Sequence, residues 1–248
     1  MNIIALHGFT GCGADFEPFA QQCIGTWHCP DLPGHGAANS QSCSPQSTVR
    51  SIQHAVDCLA QAEPKILVAY SMGARAALQH AIQSPTIWDA LILFSPNPGI
   101  ENEPEREQRR QADEALAQRM EAEGLVPFLE YWRSTPLIQS QQNIPTEWLQ
   151  TMQSNRLRQS TQGLAQSLRQ FGQGNCPNLW PKLDVLQIPL LCITGESDTK
   201  YSKISERIAR ELMNATHITI PEAGHMPHLE KPRASVETVN AFLRQFTN

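Results

Sequence analysis

Six short strand-like runs, most of them apolar and separated by stretches of helical periodicity, constrain this sequence more than any other feature. They fall at residues 2–6, 25–29, 65–70, 89–94, 189–194 and 216–220. Most lack the polar residue at every second position that a half-solvated strand would carry. Strands of that kind are buried on both faces, as in a parallel sheet covered by helices. The segments between them supply the helices: Val49, Ile52, Val56 and Leu59 recur at helical spacing, as do Val236, Val239, Leu243 and Phe246. Strand and helix in alternation predict an α/β fold with a mostly parallel six-stranded sheet. At 248 residues, the whole chain can form it as one domain.

One interval departs from the alternation. From about residue 97 to residue 187 no strand is predicted, and the segment is helical and rich in Gln, Arg and Glu. It leaves directly from the end of the fourth strand. That edge of an open α/β sheet carries the ligand site, so the interval reads as an inserted helical cap rather than as extra packing helices.

Bulk properties exclude several function classes. A formal net charge of −5 gives no basic footprint for nucleic acid and no polybasic membrane patch. The seven cysteines are odd in number, form no CxxC pair and have no histidines at zinc spacing. They fit reduced thiols in the cytoplasm. No apolar stretch approaches the roughly 20 residues a membrane span needs, and the first residues lack a basic leader region. The expectation is a soluble cytoplasmic protein with no metal site among its cysteines and histidines.

The chemistry centres on Ala69-Tyr70-Ser71-Met72-Gly73-Ala74-Arg75. An apolar run leads into Ser71 and a helical pattern leaves it. A serine nucleophile needs that context, because a sharp strand-to-helix turn lifts its Oγ above the sheet. Ala69 stands where such turns usually have Gly, and its methyl opens the turn slightly. The Met72 N–H starts a helix and can donate to an oxyanion. Three further segments fall in the required order. His7-Gly8-Phe9-Thr10-Gly11 follows the first strand and offers the Phe9 N–H as a second oxyanion donor. Gly195-Glu196-Ser197-Asp198 places Asp198 after the fifth strand, with Glu196 as the competing acid. Gly224-His225 follows the sixth, with His228 one turn away. The order Ser71, Asp198, His225, each after its own strand, points to a triad. Asp31-Leu32-Pro33-Gly34-His35-Gly36 reads as a tight structural turn. Arg75, four residues after Ser71, shares its helix face. It could hold a substrate carboxylate or form a surface ion pair.

Together these segments resemble the α/β-hydrolase superfamily over nearly the whole chain, without the N-terminal hairpin that usually opens the fold. The resemblance narrows through the predicted cap. The Tyr70–Arg75 stretch, Tyr131-Trp132 followed by Pro136-Leu137, Gly163-Leu164-Ala165-Gln166-Ser167-Leu168-Arg169 and Gly195-Glu196-Ser197-Asp198-Thr199-Lys200-Tyr201 are similar to the 2-succinyl-6-hydroxy-2,4-cyclohexadiene-1-carboxylate (SHCHC) synthases. These are the lyases of menaquinone and phylloquinone biosynthesis, which eliminate pyruvate from an enolpyruvyl cyclohexene tricarboxylate. The resemblance implies substrate contacts at Tyr70, Arg75, Arg109 (with Arg110 its neighbour), Trp132, Arg156 (with Arg158 nearby) and Lys200. Arg133 replaces an aromatic that often follows the tryptophan. It also implies that Ser71, polarised by His225 and Asp198, acts as a base rather than a nucleophile. Arginine suits the planar, bidentate recognition that a tricarboxylate requires. Three rivals use the same fold: a carboxylesterase or thioesterase, a C–C bond hydrolase, and a non-catalytic binding protein. The last predicts a missing triad member.

Overall fold

The computed structural model describes residues 1–60 and 63–247. Six strands, β1 (Asn2–Leu6), β2 (Thr26–His28), β3 (Lys65–Tyr70), β4 (Ala90–Phe94), β5 (Leu190–Gly195) and β6 (Ala215–Ile220), form one sheet in the order β2-β1-β3-β4-β5-β6. Every neighbouring pair is parallel. Helices α1 (Glu17–Ala20), α2 (Pro45–Asp57) and α3 (Met72–Gln83) lie before β4 in the chain. Four more, α4 (Glu103–Glu123), α5 (Leu125–Ser134), α6 (Thr146–Leu157) and α7 (Thr161–Phe171), lie between β4 and β5. The C-terminal part adds α8 (Thr199–Glu211), α9 (Pro227–Glu230) and α10 (Pro232–Leu243).

The pleat explains the two-sided core. Successive strand residues point to opposite faces. Ile4, Leu6, Leu67 and Ala69 therefore pack with Ile52 and Val56 of α2, Leu78 of α3 and Ile208 of α8. Ile3, Ala5, Ile66 and Val68 pack on the other face with Phe19 of α1 and Val239 and Leu243 of α10. Fully burying each such aliphatic side chain stabilises the fold by about 1.5–3 kcal/mol. The strands at the sheet's margins, β2 and β6, are partly exposed, and β2 has only three residues, as befits an edge.

Between β4 and β5 all regular structure is helical, among the described residues. The first insertion helix, α4, starts where Asn102 accepts a hydrogen bond from the Glu105 N–H, with Pro104 in its first turn, and stops at Gly124 with φ +85°. A separate apolar cluster joins Ala117 and Met120 of α4, Phe128 and Leu129 of α5 and Leu164, Ala165 and Leu168 of α7. Phe9, from the loop after β1, packs against it. The insertion thus has its own core and meets the sheet over the end of β1.

Candidate active site

Ser71 sits between β3 and α3 with φ +51° and ψ −105°. A non-glycine residue there carries strain of order 1–3 kcal/mol and persists only when its surroundings fix it. The Ser71 N–H donates to the Phe94 carbonyl at 2.9 Å, and the Ser71 carbonyl accepts from Arg75 at 3.2 Å. Gly73 allows the turn, since a Cβ there would lie 2.3 Å from the Leu6 carbonyl oxygen. The first turn of α3 therefore rests on the end of β1.

That geometry presents the Ser71 hydroxyl to the loop after β6. Ser71 Oγ lies 2.9 Å from His225 Nε2, and His225 Nδ1 lies 2.7 Å from Asp198 Oδ2. The Ser95 hydroxyl is within donating distance of Asp198 Oδ2 (3.2 Å) and of the His225 carbonyl (3.0 Å). An Nδ1–H held by Asp198 leaves Nε2 free to accept from the serine. Rings enclose the imidazole: the centroid of Tyr70 is 5.4 Å away and that of Tyr201 4.4 Å. Glu196 instead turns away and accepts from the Glu222 N–H at 3.0 Å. His228 stacks on Phe16 at 4.8 Å, and burial lowers its pKa to about 3. It is a neutral core histidine.

A cavity opens beside Ser71 Oγ. Its wall includes Phe9, Tyr70, Met72, Arg75 and His225 from the sheet side, and Arg109, Trp132, Gln141, Ser167 and Gln173 from the helical insertion. Met72 is the first residue of α3, so its N–H has no intrahelical acceptor. Phe9 is wedged edge-on between His35 at 5.8 Å and Trp132 at 5.4 Å. The Gly8 Cα faces Tyr70, where a Cβ would fall 2.6 Å from the ring. In the turn of residues 31–36, Asp31 accepts from Gly13 at 2.8 Å and from Ala37 at 2.7 Å. The Leu32 N–H donates to His7 Nε2 at 2.9 Å, which leaves His7 Nδ1–H to donate to the Gly8 carbonyl. This turn braces the Phe9 loop.

Two guanidinium groups reach the cavity. Arg75 is buried, and its Nη2 donates to the Phe171 carbonyl at 3.0 Å. Its Nε has no hydrogen-bond partner among the described residues. Arg109 donates from Nε to Asp113 at 2.8 Å and from Nη1 to Gln173 at 2.9 Å. Burial pushes the Asp113 carboxyl up, against the opposing pull of Arg109 and Arg75. Arg110 faces outward, paired with Glu103 and Glu107. Trp132 Nε1 is buried without a partner among the described residues.

Two residues carried over from the resemblance lie apart from this wall. Arg156 is buried one layer behind it, donating to Gln141 Oε1 at 2.9 Å, and Gln141 itself lines the cavity. Lys200 is exposed in an adjoining groove that shares Arg109 and Gln173 with the cavity. The sequence offered no signal for Gln141 or Gln173, and Ser167 and Tyr201 stood only inside stretches that carry the resemblance, with no role assigned. All four are uncharged, and they reach the cavity through the packing of α7, α8 and the turn at Gln139–Asn143.

Among the described residues no cluster of metal-ligating side chains occurs and no helix is long and apolar enough to cross a membrane. All seven cysteines are unbonded. Residues 3–238 match the model of the alpha/beta hydrolase family. A Bacillus subtilis (strain 168) protein provisionally named as a 2-succinyl-6-hydroxy-2,4-cyclohexadiene-1-carboxylate synthase is 33% identical, over 97% of this chain and 89% of its own. The Salmonella heidelberg (strain SL476) protein named as that synthase is 28% identical, over 98% and 94%. The solved structure of MenH from S. aureus superposes with a TM-score of 0.93 at 30% identity, covering 100% of this chain and 95% of that one. The chain belongs to the alpha/beta hydrolase family, and within it resembles the SHCHC synthases along almost its whole length.

Proposed function

We propose that this protein is an SHCHC synthase, a lyase that eliminates pyruvate from 2-succinyl-5-enolpyruvyl-6-hydroxy-3-cyclohexene-1-carboxylate, and that the insertion between β4 and β5 is its substrate-binding cap. The observation that carries this reading is the meeting of two guanidinium groups, Arg75 and Arg109, with Ser71 Oγ in one cavity. A neutral ester gives such cations nothing to bind, whereas carboxylates take bidentate, charge-assisted hydrogen bonds from them. The likeness to named synthases through the insertion supports the same conclusion.

Ser71, His225 and Asp198 act as the base. Ser71 Oγ takes the ring proton alpha to the succinyl carbonyl while its own hydroxyl proton passes to His225 Nε2. Asp198 stabilises the resulting imidazolium through Nδ1–H. The electron pair of the broken C–H bond moves through the ring and breaks the ring bond to the enolpyruvyl oxygen. The departing enolate regains a proton and leaves as pyruvate. The N–H groups of Phe9 and Met72 stabilise the negative charge on the carbonyl oxygen, and positioned donors of this kind each contribute about 10²–10³ in rate. Tyr70, whose phenol is held well above its ordinary pKa by burial and the nearby Glu230 charge, stays neutral and can donate. Trp132 covers the ring, and Arg156 and Lys200 add positive charge from behind the wall and from the groove. No cofactor is required. The free thiols support a cytoplasmic enzyme.

A coupled assay of pyruvate release from the enolpyruvyl substrate tests the reading. Wild type should release pyruvate and Ser71→Ala should not. No release by wild type sinks the lyase; unchanged release by the variant sinks the role of Ser71. One observation favours a second reading, hydrolysis of a carboxylic ester: the Ser71–His225 distance of 2.9 Å suits a nucleophile equally. Turnover of p-nitrophenyl esters without pyruvate release would select it.

A further inference from the structure

Glu230 closes the four-residue helix α9, five residues after His225, and its side chain is buried. Its carboxylate accepts three hydrogen bonds. Oε2 accepts from the Gly224 N–H at 2.5 Å, and Oε1 from the Met226 N–H at 2.9 Å. Those two peptide groups bracket His225. The third donor is the Ser140 hydroxyl, at 2.9 Å from Oε1. Ser140 belongs to the insertion, in the turn Gln139–Asn143, between the cavity-lining residues Ile138 and Gln141.

A carboxylate removed from water costs several kcal/mol unless its lone pairs are filled. Here the donors that fill them come from both sides of the catalytic histidine and from the cap. Capping α9 would need only the Met226 N–H, so the reach to Gly224 and Ser140 asks for another explanation. The contact with the cap is close: a Cβ on Gly224 would fall 2.1 Å from Ser140 Oγ and 3.1 Å from Glu230 Oε2. The opposite side of the same backbone is held by Ser95, whose hydroxyl is 3.0 Å from the His225 carbonyl.

We infer that Glu230 is a positioning residue for His225, and that through Ser140 it sets the register between the catalytic histidine and the cap segment that walls the substrate cavity. The inference rests on the role proposed for His225. Displacing a reacting group by about 1 Å can cost on the order of 10² in rate, so a shared anchor would keep base and bound substrate aligned.

The test uses the full chain and two readouts: the rate at which a fluorophosphonate labels Ser71, and kcat and KM for pyruvate release. Labelling needs the Ser71–His225 pair but no substrate carboxylate, so it stays readable if wild type proves not to be a lyase. Glu230→Gln keeps the shape but turns one acceptor into a donor facing an N–H. With wild-type circular dichroism, it should label at least ~20-fold slower and lose kcat in parallel. Its KM should stay within about twofold, because Arg75 and Arg109 are untouched. Ser140→Ala removes the cap's donor and no backbone contact, and should slow labelling about three- to fivefold. It serves if Glu230→Gln does not fold. Wild-type labelling in folded Glu230→Gln overturns the inference, as does a raised KM with labelling unchanged. Wild-type labelling in Ser140→Ala overturns the link to the cap, and overturns the whole inference if Glu230→Gln does not fold.

Discussion

The triad on the sheet side of the cavity and the insertion wall that faces it are built on opposite terms. On the sheet side, Ser71, His225 and Asp198 each stand just beyond the end of a strand, and their polar atoms satisfy one another. On the cap side, Trp132 Nε1 is buried without a partner among the described residues, and Arg109 spends only part of its guanidinium on Asp113 and Gln173. A buried donor left unmet is costly in an isolated fold, so Trp132 Nε1, like Arg75 Nε, is a place where a ligand can complete the structure. On the proposed reading the scaffold holds the base, and the cap, together with Arg75, supplies the hydrogen bonds that select what the base acts on.

The largest effect should come from removing the base. Ser71→Ala is expected to lower kcat at least ~10³-fold with KM within a few-fold, as measured by pyruvate release. A variant that instead raised KM with kcat intact would place Ser71 among the binding groups and break the division between the two sides.

Acid sharpens the comparison through stability. All eight histidines lie outside residues 97–187. Burial lowers the pKa of His35 and His228 to about 3 and that of His80 to about 4. Each is neutral in the folded chain but binds a proton below about pH 6.5 when unfolded. The stability they contribute is complete above that pH and is lost as pH falls toward the folded values. The slope is about 1.4 kcal/mol per pH unit for each fully titrating group. Urea unfolding at pH 7 and pH 5 should show a lower midpoint at pH 5. His228→Leu should flatten that dependence, and an unchanged slope would mean that His228 is solvated in the folded chain.

The cap side predicts a different kinetic signature. Arg109→Ala should raise KM about 10- to 100-fold, the usual range for a charge-assisted hydrogen bond to a carboxylate, with a smaller loss in kcat. Equal falls in kcat and kcat/KM would show that the cation acts on the transition state alone.

The two sides also differ in how far their sequence revealed them. Residues 2–6 and 65–70 were legible to the residue as β1 and β3, and 89–94 and 189–194 to within one residue as β4 and β5, because strands buried on both faces carry apolar interiors that stand out from their flanks. At the edge, β2 is shorter than its apolar run, since Gly25 adopts φ +97°. Each triad candidate could be placed because it follows a strand. Glu196 and Asp198 were separable only in space, where Glu196 meets the Glu222 N–H. The cap was legible as an interval without strands, but not in its lining. Which face of α4 meets the cavity depends on how α7 packs against it, and no local pattern encodes that. Gln173 and Tyr201 meet at 3.0 Å across 28 positions of sequence.

The adjacent pair Arg109 and Arg110 gives the smallest expected effect and the cleanest control. Successive helix residues point about 100° apart, so only one of them can face the cavity squarely. Arg110 donates to Glu103 at 2.6 Å and to Glu107 at 2.8 Å on the exposed side of α4, and to the Gly174 carbonyl at 3.1 Å. Exposed pairs of this kind contribute little, because water screens them and two long side chains must be ordered to form them. Arg110→Ala should therefore leave kcat/KM for pyruvate release within about twofold of wild type, while Arg109→Ala does not. The two variants remove the same charge from neighbouring positions, so overall electrostatic attraction of an anionic substrate falls equally in both. Any difference between them measures direct contact. Equal losses would mean that the cap attracts its substrate by net charge alone, and that the unmet donors in its lining are not what selects it.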